Sequence, residues 1–299
     1  MEKIALCVPN ISEGRDHGKI NRIASVVEIP GCKLLDVASD VNHNRTVITF
    51  GGEPEAVKEA AFNLIKKAAE LIDMSQHKGG HPRMGAVDVC PFVPVAEMTM
   101  QECAKLAWEL GWAVGCELGL PGYFYGYAAM KPERKVLSDI RAGEYEALAE
   151  KMEKPEWRPD FGLPEFNPRF GATVIGARDF LVAFNINLQS DNLDLARAIA
   201  WAVRGSNNGV FPNVQALGID TREKGYVQVS MNLLNYKIDS IAEVFQAVKN
   251  LAAVFETEIH SSEIIGLVPR DALKDVSPEY LQLKDFDPQK QIIEEALEL

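Results

Sequence analysis

Apolar positions along the first half of the chain recur at two alternating periods. Residues 4–8 form a short apolar run closed by Pro9-Asn10 and Gly14, which predicts a strand. Over 17–27, Ile20, Ile23, Ala24 and Val27 fall on one helical face. A strand is predicted at 33–37 and a polar turn at 39–44. A second strand follows at 45–50, where Val47 and Thr49 alternate with Ile48 and Phe50. Pro54 suits the first turn of a helix running to about residue 74, striped by Ala56, Ala60, Leu64, Ala68 and Leu71. A strand at 87–95 completes the order βαββαβ. Beyond it the pattern predicts a helix after Thr99, a strand at 123–127 and helical pieces over 134–149.

The second half repeats that order. Strands are predicted at 180–188, 214–220, 226–233 and 258–268, with helices at 193–203 and 241–256 and a turn at Lys224-Gly225. The repeat is one of element order. It predicts an α/β (α+β) protein of two ferredoxin-like βαββαβ subdomains, each with helices on one face of a sheet. The stretch 150–176, rich in proline, glycine and aromatics, reads as the connector between them. Two lobes so joined leave a cleft, the usual place for a ligand.

Composition narrows the function. The chain has 299 residues, 47% of them hydrophobic and 25% charged, enough for packed domains with little disorder. Its net charge of −12 opposes a nucleic-acid partner, since such proteins present a basic face. No apolar run reaches the ~18 residues of a membrane span. The apolar start before Pro9 is too short for a secretory leader. Five cysteines, Cys7, Cys32, Cys90, Cys103 and Cys116, lie in apolar surroundings without a CxxC pair. They read as buried free thiols in a reducing cytoplasm.

The strongest chemical signal is His77-Lys78-Gly79-Gly80-His81-Pro82-Arg83-Met84-Gly85, between a helix and a strand. Histidine moves protons near neutral pH. Glycines let backbone approach a ligand closely. Pro82 holds His81 in an extended setting, and Arg83 suits a carboxylate clamp. On residues alone, a glycine-rich turn with a solvated histidine stands beside this reading. Zinc on His77 and His81 would need a helix that the glycines oppose. Asn10 sits at a strand end, pointing either into a cleft or into a helix cap. Asp36, Asp40, Asn42, His43, Asn44 and Arg45 form a polar cluster at a hairpin, either a solvated turn or a site for a polar heterocycle or a cation. The stiff loop Gly162-Leu163-Pro164-Glu165-Phe166-Asn167-Pro168-Arg169-Phe170-Gly171 is shaped for a ligand or for packing on its own aromatics. The turn 141–146 carries too little chemistry to assign unaided. P-loop, GxSxG and HExxH patterns are missing from the sequence.

Together these segments resemble the formiminotransferase family. The resemblance rests on CVPNISEG at 7–14, HNRTVITFGG at 43–52, LIDMSQHKGGHPRMGAVDVCPFVPV at 71–95 and IRAGEYEAL at 140–148. It continues in PDFG at 159–162, GATVIGAR at 171–178, FLVAFNINL at 180–188, VQVSMNLLNY at 227–236 and GLVP at 266–269. It implies an N-terminal subdomain at 1–178 and a C-terminal subdomain at 179–299, with a folate tunnel between them. It implies transfer of the formimino group of N-formimino-L-glutamate to N5 of tetrahydrofolate, the co-substrate, in histidine degradation and without a metal. The implied catalytic acid/base is His81, and the implied folate-contacting loop is 162–171. Asn10, Asp36, Asp40, Arg45 and Arg83 are the substrate anchors expected beside them. A homodimer is the expected assembly. The chain departs from the family pattern at Ala38, at Tyr127 and over 208–214. Those departures bear on the donor, so a glutamate formyltransferase or a 5-formyltetrahydrofolate cyclo-ligase on the same scaffold is the alternative. A non-catalytic folate-binding protein is a third.

Overall fold

The computed structural model describes residues 2–207 and 209–298. They divide into two compact units, Met1–Arg178 and Asp179–Leu299.

The first unit runs β1 (Ile4–Cys7), β2 (Asn10–Ile11), α1 (His17–Ala24), β3 (Cys32–Asp40), β4 (Arg45–Gly52), α2 (Pro54–Leu71), β5 (Val87–Ala96), α3 (Met100–Leu118), β6 (Gly122–Gly126), α4 (Leu137–Arg141), α5 (Leu148–Glu153) and β7 (Thr173–Ala177). Strands β1 and β2 both lie between β4 and β5, antiparallel to each, and β3 pairs with the outer side of β4. The lateral order β5, β1/β2, β4, β3 is that of a ferredoxin-like sheet. Strands β7 and then β6 extend it in parallel beyond β5.

Helices cover one face. Leu64, Ile65 and Ala68 of α2, with Leu106, Ala107 and Leu110 of α3, pack on Phe50, Cys90, Phe92 and Ile175. Full burial of such a side chain stabilises by roughly 1.5–3 kcal/mol. On the other face a smaller cluster, Ile140, Leu148 and Met152 against Tyr123, Tyr125, Val89 and Val174, covers the β5–β7–β6 end. Helix α3 starts on a capping box, with Thr99 Oγ1 accepting from Glu102 N and Glu102 accepting from Thr99 N.

The second unit runs β8 (Val182–Leu188), α6 (Leu193–Val203), β9 (Val214–Ile219), β10 (Val227–Leu233), α7 (Ile241–Val254) and β11 (Ile259–Ile265). Its sheet order β11-β8-β10-β9 is again ferredoxin-like and antiparallel throughout. Ile199, Val203, Val244, Phe245 and Val248 pack on Phe184, Ile186, Val229 and Met231.

Several predicted elements shift. Asn10, expected to close the first strand, starts β2 instead. Ser39 and Asp40 belong to β3, because their backbones still pair with Thr46 and Arg45. Helix α1 gives way to a 3₁₀ turn at Ser25–Val27, and α2 stops at Leu71. The expected connector 150–176 lies wholly within the first unit and holds parts of α5 and β7. Every residue of β7 is buried. A strand buried on both faces shows no polar alternation, which is why it was not legible among prolines and aromatics. Cys116 is exposed rather than buried, whereas the other four thiols are buried and free. Of the family departures over 208–214, Asn208 lies outside the described residues.

Candidate active site

The segment that follows α2 is drawn in by close backbone approaches. A Cβ on Gly79 would sit 2.3 Å from the His43 carbonyl oxygen, so only glycine lets this stretch lie against the β3–β4 hairpin. Gly80 N donates to Asn42 O, and Asn44 Nδ2 donates to Lys78 O at 3.0 Å. His77 is pinned at both ring nitrogens. Nε2 lies 2.9 Å from Asn44 O, and Nδ1 accepts from Arg83 Nε at 3.2 Å. That geometry assigns a neutral ring protonated at Nε2. Burial also pushes its pKa below the ordinary value. His77 is thus a structural pin.

His81 sits differently. Its side chain is 13% exposed, and Nε2 lies 3.4 Å from Oδ2 of Asp88, whose side chain is 1% exposed. The contact has ion-pair distance, but its geometry falls outside that of a hydrogen bond, and Nε2 is enclosed without one. Catalytic hydrogen bonds often tighten only around the reacting substrate. Asp88 stands at the start of β5. Its Oδ1 accepts from Met84 N at 3.0 Å and Arg141 Nε at 3.3 Å, and Arg141 Nη2 pairs with Oδ2. Burial pushes the Asp88 pKa up, but His81 and Arg141 outweigh it, so the carboxyl is held below its usual range. An ionised carboxylate fixed behind an imidazole orients the ring and stabilises its protonated form. With Nε2 turned to Asp88, Nδ1 is the nitrogen left to exchange a proton with a substrate.

The anchors fall into two groups. Arg45 opens β4 within electrostatic reach of Asp88 and Arg141. Its Nη1 donates to Asn10 Oδ1 at 3.3 Å, and its Nε is enclosed without a partner. Burial lowers its pKa. Arg83, by contrast, is already engaged. Nη1 donates to Glu144 at 2.9 Å and to Glu146 at 2.8 Å, at the wall of a cavity of about 500 Å³ that Lys78 and Gly79 also line. Asp40 accepts from His43 N at 2.8 Å and closes the hairpin. Asp36 is half-buried in β3, and burial raises its pKa.

The 162–171 loop is anchored at both ends, by the Phe161–Gly122 bridge just before it and by a denser set of bonds over its last residues. Asn167 Oδ1 accepts from Arg169 N and Phe170 N, Met74 N donates to Arg169 O, and Arg169 Nη2 donates to Glu70 O. Ala86 N donates to Phe170 O at 2.7 Å, and Ala172 N to Met84 O at 3.1 Å. The loop's base is therefore stitched to the segment that carries His81. Phe170 is buried, whereas Gly162, Leu163, Pro164 and Glu165 are exposed. Phe166 packs against Tyr145, with ring centroids 5.6 Å apart. Among the described residues, no three of His, Cys, Asp and Glu converge as a metal site would require.

The family model described as the N-terminal subdomain of the formiminotransferase domain matches residues 4–178, and that of the formiminotransferase domain matches 183–298. The chain belongs to the formiminotransferase family. A protein from Streptococcus pyogenes serotype M1 named glutamate formimidoyltransferase is 44% identical over 298 residues, covering 99% of both chains. A protein of the same name from Thermoplasma acidophilum is 45% identical, covering 98% of this chain and 96% of its own. The Gallus gallus protein named formimidoyltransferase-cyclodeaminase is 46% identical over 94% of this chain, which spans 53% of that longer relative.

For this formiminotransferase, the sequence and its family resemblance singled out His81, the hairpin and the loop. The structure brings His81 near Asp88 and sets Asn10 against Arg45. Asp88 and Arg141 were missed. Asp88 left a trace, one acid within an apolar strand, but Arg141 lies 53 residues further on, and no local pattern links the two.

Proposed function

We propose that this chain is a glutamate formimidoyltransferase. It moves the formimino group of N-formimino-L-glutamate to N5 of tetrahydrofolate, giving 5-formiminotetrahydrofolate and glutamate. The observation that carries the reading is the end-to-end likeness to two proteins of that name. The chemistry fits the residues. N5 attacks the formimino carbon, and a tetrahedral carbon forms. The His81 imidazole accepts the proton released from N5 and returns it to the glutamate nitrogen as the carbon–nitrogen bond breaks. The charge of Asp88 favours the imidazolium between these steps. Arg45, held by Asn10 with Nε unspent, suits a substrate carboxylate. Arg83 would have to leave Glu144 or Glu146 to do the same. The 162–171 loop, exposed over its first residues and held at its base, suits the folate, with Asp36 and Asp40 of β3 as polar contacts to the substrates. The reading includes a cytoplasmic location, which suits the five free thiols, and a homodimer.

Purified protein is offered tetrahydrofolate with formiminoglutamate or formylglutamate, and 5-formiminotetrahydrofolate is followed by absorbance. Turnover with formiminoglutamate alone is expected. His81→Ala is expected to cut it about 100-fold or more, the scale of lost general acid/base catalysis. A preference for formylglutamate overturns the donor, and near-normal turnover in H81A overturns the role of His81.

A further inference from the structure

The turn at 141–146 makes more contacts across the site than its sequence suggested. From its first residue, Arg141 pairs with Asp88, the carboxylate behind His81. Near its other end, Tyr145 donates its backbone N–H to Arg83 O at 2.8 Å. The Tyr145 hydroxyl donates to Pro168 O, and its ring packs on Phe166, both in the 162–171 loop. On either side of it, Glu144 and Glu146 clamp the Arg83 guanidinium. One short turn therefore touches the His81–Arg83 segment, the carboxylate behind His81 and the loop.

The turn is held hard. Lys151 Nζ donates to Ile140 O and to Ala142 O at 3.0 Å. Ile140 and Leu148, which bracket it, are fully buried. Glu144 takes a left-handed φ of 54° directly after Gly143 at 87°. A non-glycine residue there costs on the order of 1 kcal/mol and persists only where the surroundings over-determine it. Strain held by this many contacts is the mark of a preorganised support.

We propose that the 141–146 turn is a positioning element in which Arg141 sets Asp88 against His81 and Tyr145 sets the 162–171 loop, so that one piece of chain registers the proton-transfer pair against the folate. The inference rests on the function proposed above. It assigns the two residues separable effects, which a merely structural role does not.

The test is steady-state kinetics on the full chain with both substrates, beside H81A and thermal melts. Arg141→Gln is expected to lower kcat by about 10-fold or more with KM for tetrahydrofolate unchanged. Arg141→Lys keeps the charge but not the planar fork, and is expected to recover part of that loss. Tyr145→Phe removes one hydrogen bond, worth a factor of about 2–10, and is expected to raise KM for tetrahydrofolate by that factor at unchanged kcat. Wild-type kcat in R141Q, or a Y145F variant that moves kcat and leaves KM alone, overturns the proposal. Should R141Q melt below the assay temperature, R141K decides: an intermediate kcat supports the proposal and an unchanged one overturns it. If H81A retains turnover, the proposed proton transfer itself fails. If H81A is inactive while R141Q and R141K are intact, only the positioning role of Arg141 fails.

Discussion

Nε2 of His81 stands 3.4 Å from Oδ2 of Asp88, and that carboxylate is almost wholly out of water. An unpaired buried carboxylate is costly, so Asp88 is stable there only because Arg141, Met84 N and His81 surround it. Asp88→Asn keeps the shape, removes the charge and can present an N–H to the ring in place of an acceptor. By analogy with carboxylate–histidine pairs elsewhere, turnover is expected to fall by about 100-fold or more, with KM for either substrate changed little. A D88N enzyme within a factor of about three of the parent would show that the carboxylate does not assist the histidine.

Gly171 joins the loop to the segment that carries His81 through an antiparallel bridge with Gly85. Its φ is +76°, and a Cβ there would lie 2.1 Å from Met84 O, with the Ala172 N to Met84 O bond holding that carbonyl in place. Gly225 offers a control, at φ +87°, where an added Cβ would meet nothing within 4 Å. Gly171→Ala is therefore expected to carry a clash in addition to the backbone strain of about 1 kcal/mol or more that the two variants share. Urea midpoints should show G171A destabilised beyond G225A, and KM for tetrahydrofolate should rise in G171A only. Equal midpoints would mean the loop base yields more readily than the contacts imply.

Much of this was legible along the chain, for identifiable reasons. Helices α2, α3, α6 and α7 carry their apolar stripes openly, and both copies of βαββαβ emerged from period alone. The segment 77–85 stood out because two histidines, a lysine and an arginine gather among glycines, but that pattern left a solvated turn open, and only the family resemblance singled out His81. Strand β7 was hidden because burial on both faces erases alternation. The Arg141–Asp88 pair was hidden because it is a tertiary contact between an ordinary helix end and a single acid in an apolar strand. Likewise Arg83 reads as a free clamp until Glu144 and Glu146 are seen to hold it.

Arg134 is a cation with no exposed surface, and no local pattern marks it. It pairs with Asp160, donates to Glu156 O at 2.7 Å and Arg158 O at 3.0 Å, and lies over the rings of Tyr123 and Trp157 at 4.9 and 5.7 Å. Removing one member of a buried pair leaves the other charge uncompensated, at a cost of about 3–5 kcal/mol. Arg134→Met is expected to lower the unfolding free energy by that much, read as a fall in the urea midpoint at unchanged slope. Adding Asp160→Asn should recover part of it, because the stranded charge is gone. A loss of unfolding free energy under about 1 kcal/mol in R134M would show that water reaches Asp160.

Alkaline pH sets two opposing groups of residues against each other. Burial pushes Cys32, Cys103 and Tyr125 up to about 12 and raises Cys7 and Tyr123 as well. The unfolded chain releases those protons first, from about pH 8.5 for thiols and about 10 for tyrosines. Their contribution to stability is thus complete below those values and is lost as pH rises toward 12. Lys151 runs the other way. Burial lowers it to about 8, helped by the charges of Arg134 and Lys154, so between pH 8 and about 10.4 the unfolded chain binds the extra proton and this one contribution rises with pH. One lysine whose contribution rises from about pH 8 is outnumbered by three thiols whose contribution falls from about pH 8.5, so unfolding free energy is expected to change little up to about pH 8 and then to fall steeply. Urea titrations at half-unit steps from about pH 7.5 to 11 measure the curve. Lys151→Met is expected to begin its fall earlier and to lose more free energy between about pH 7.5 and 9 than the parent does. Curves of the same shape in the parent and in K151M would remove Lys151 as a contributor.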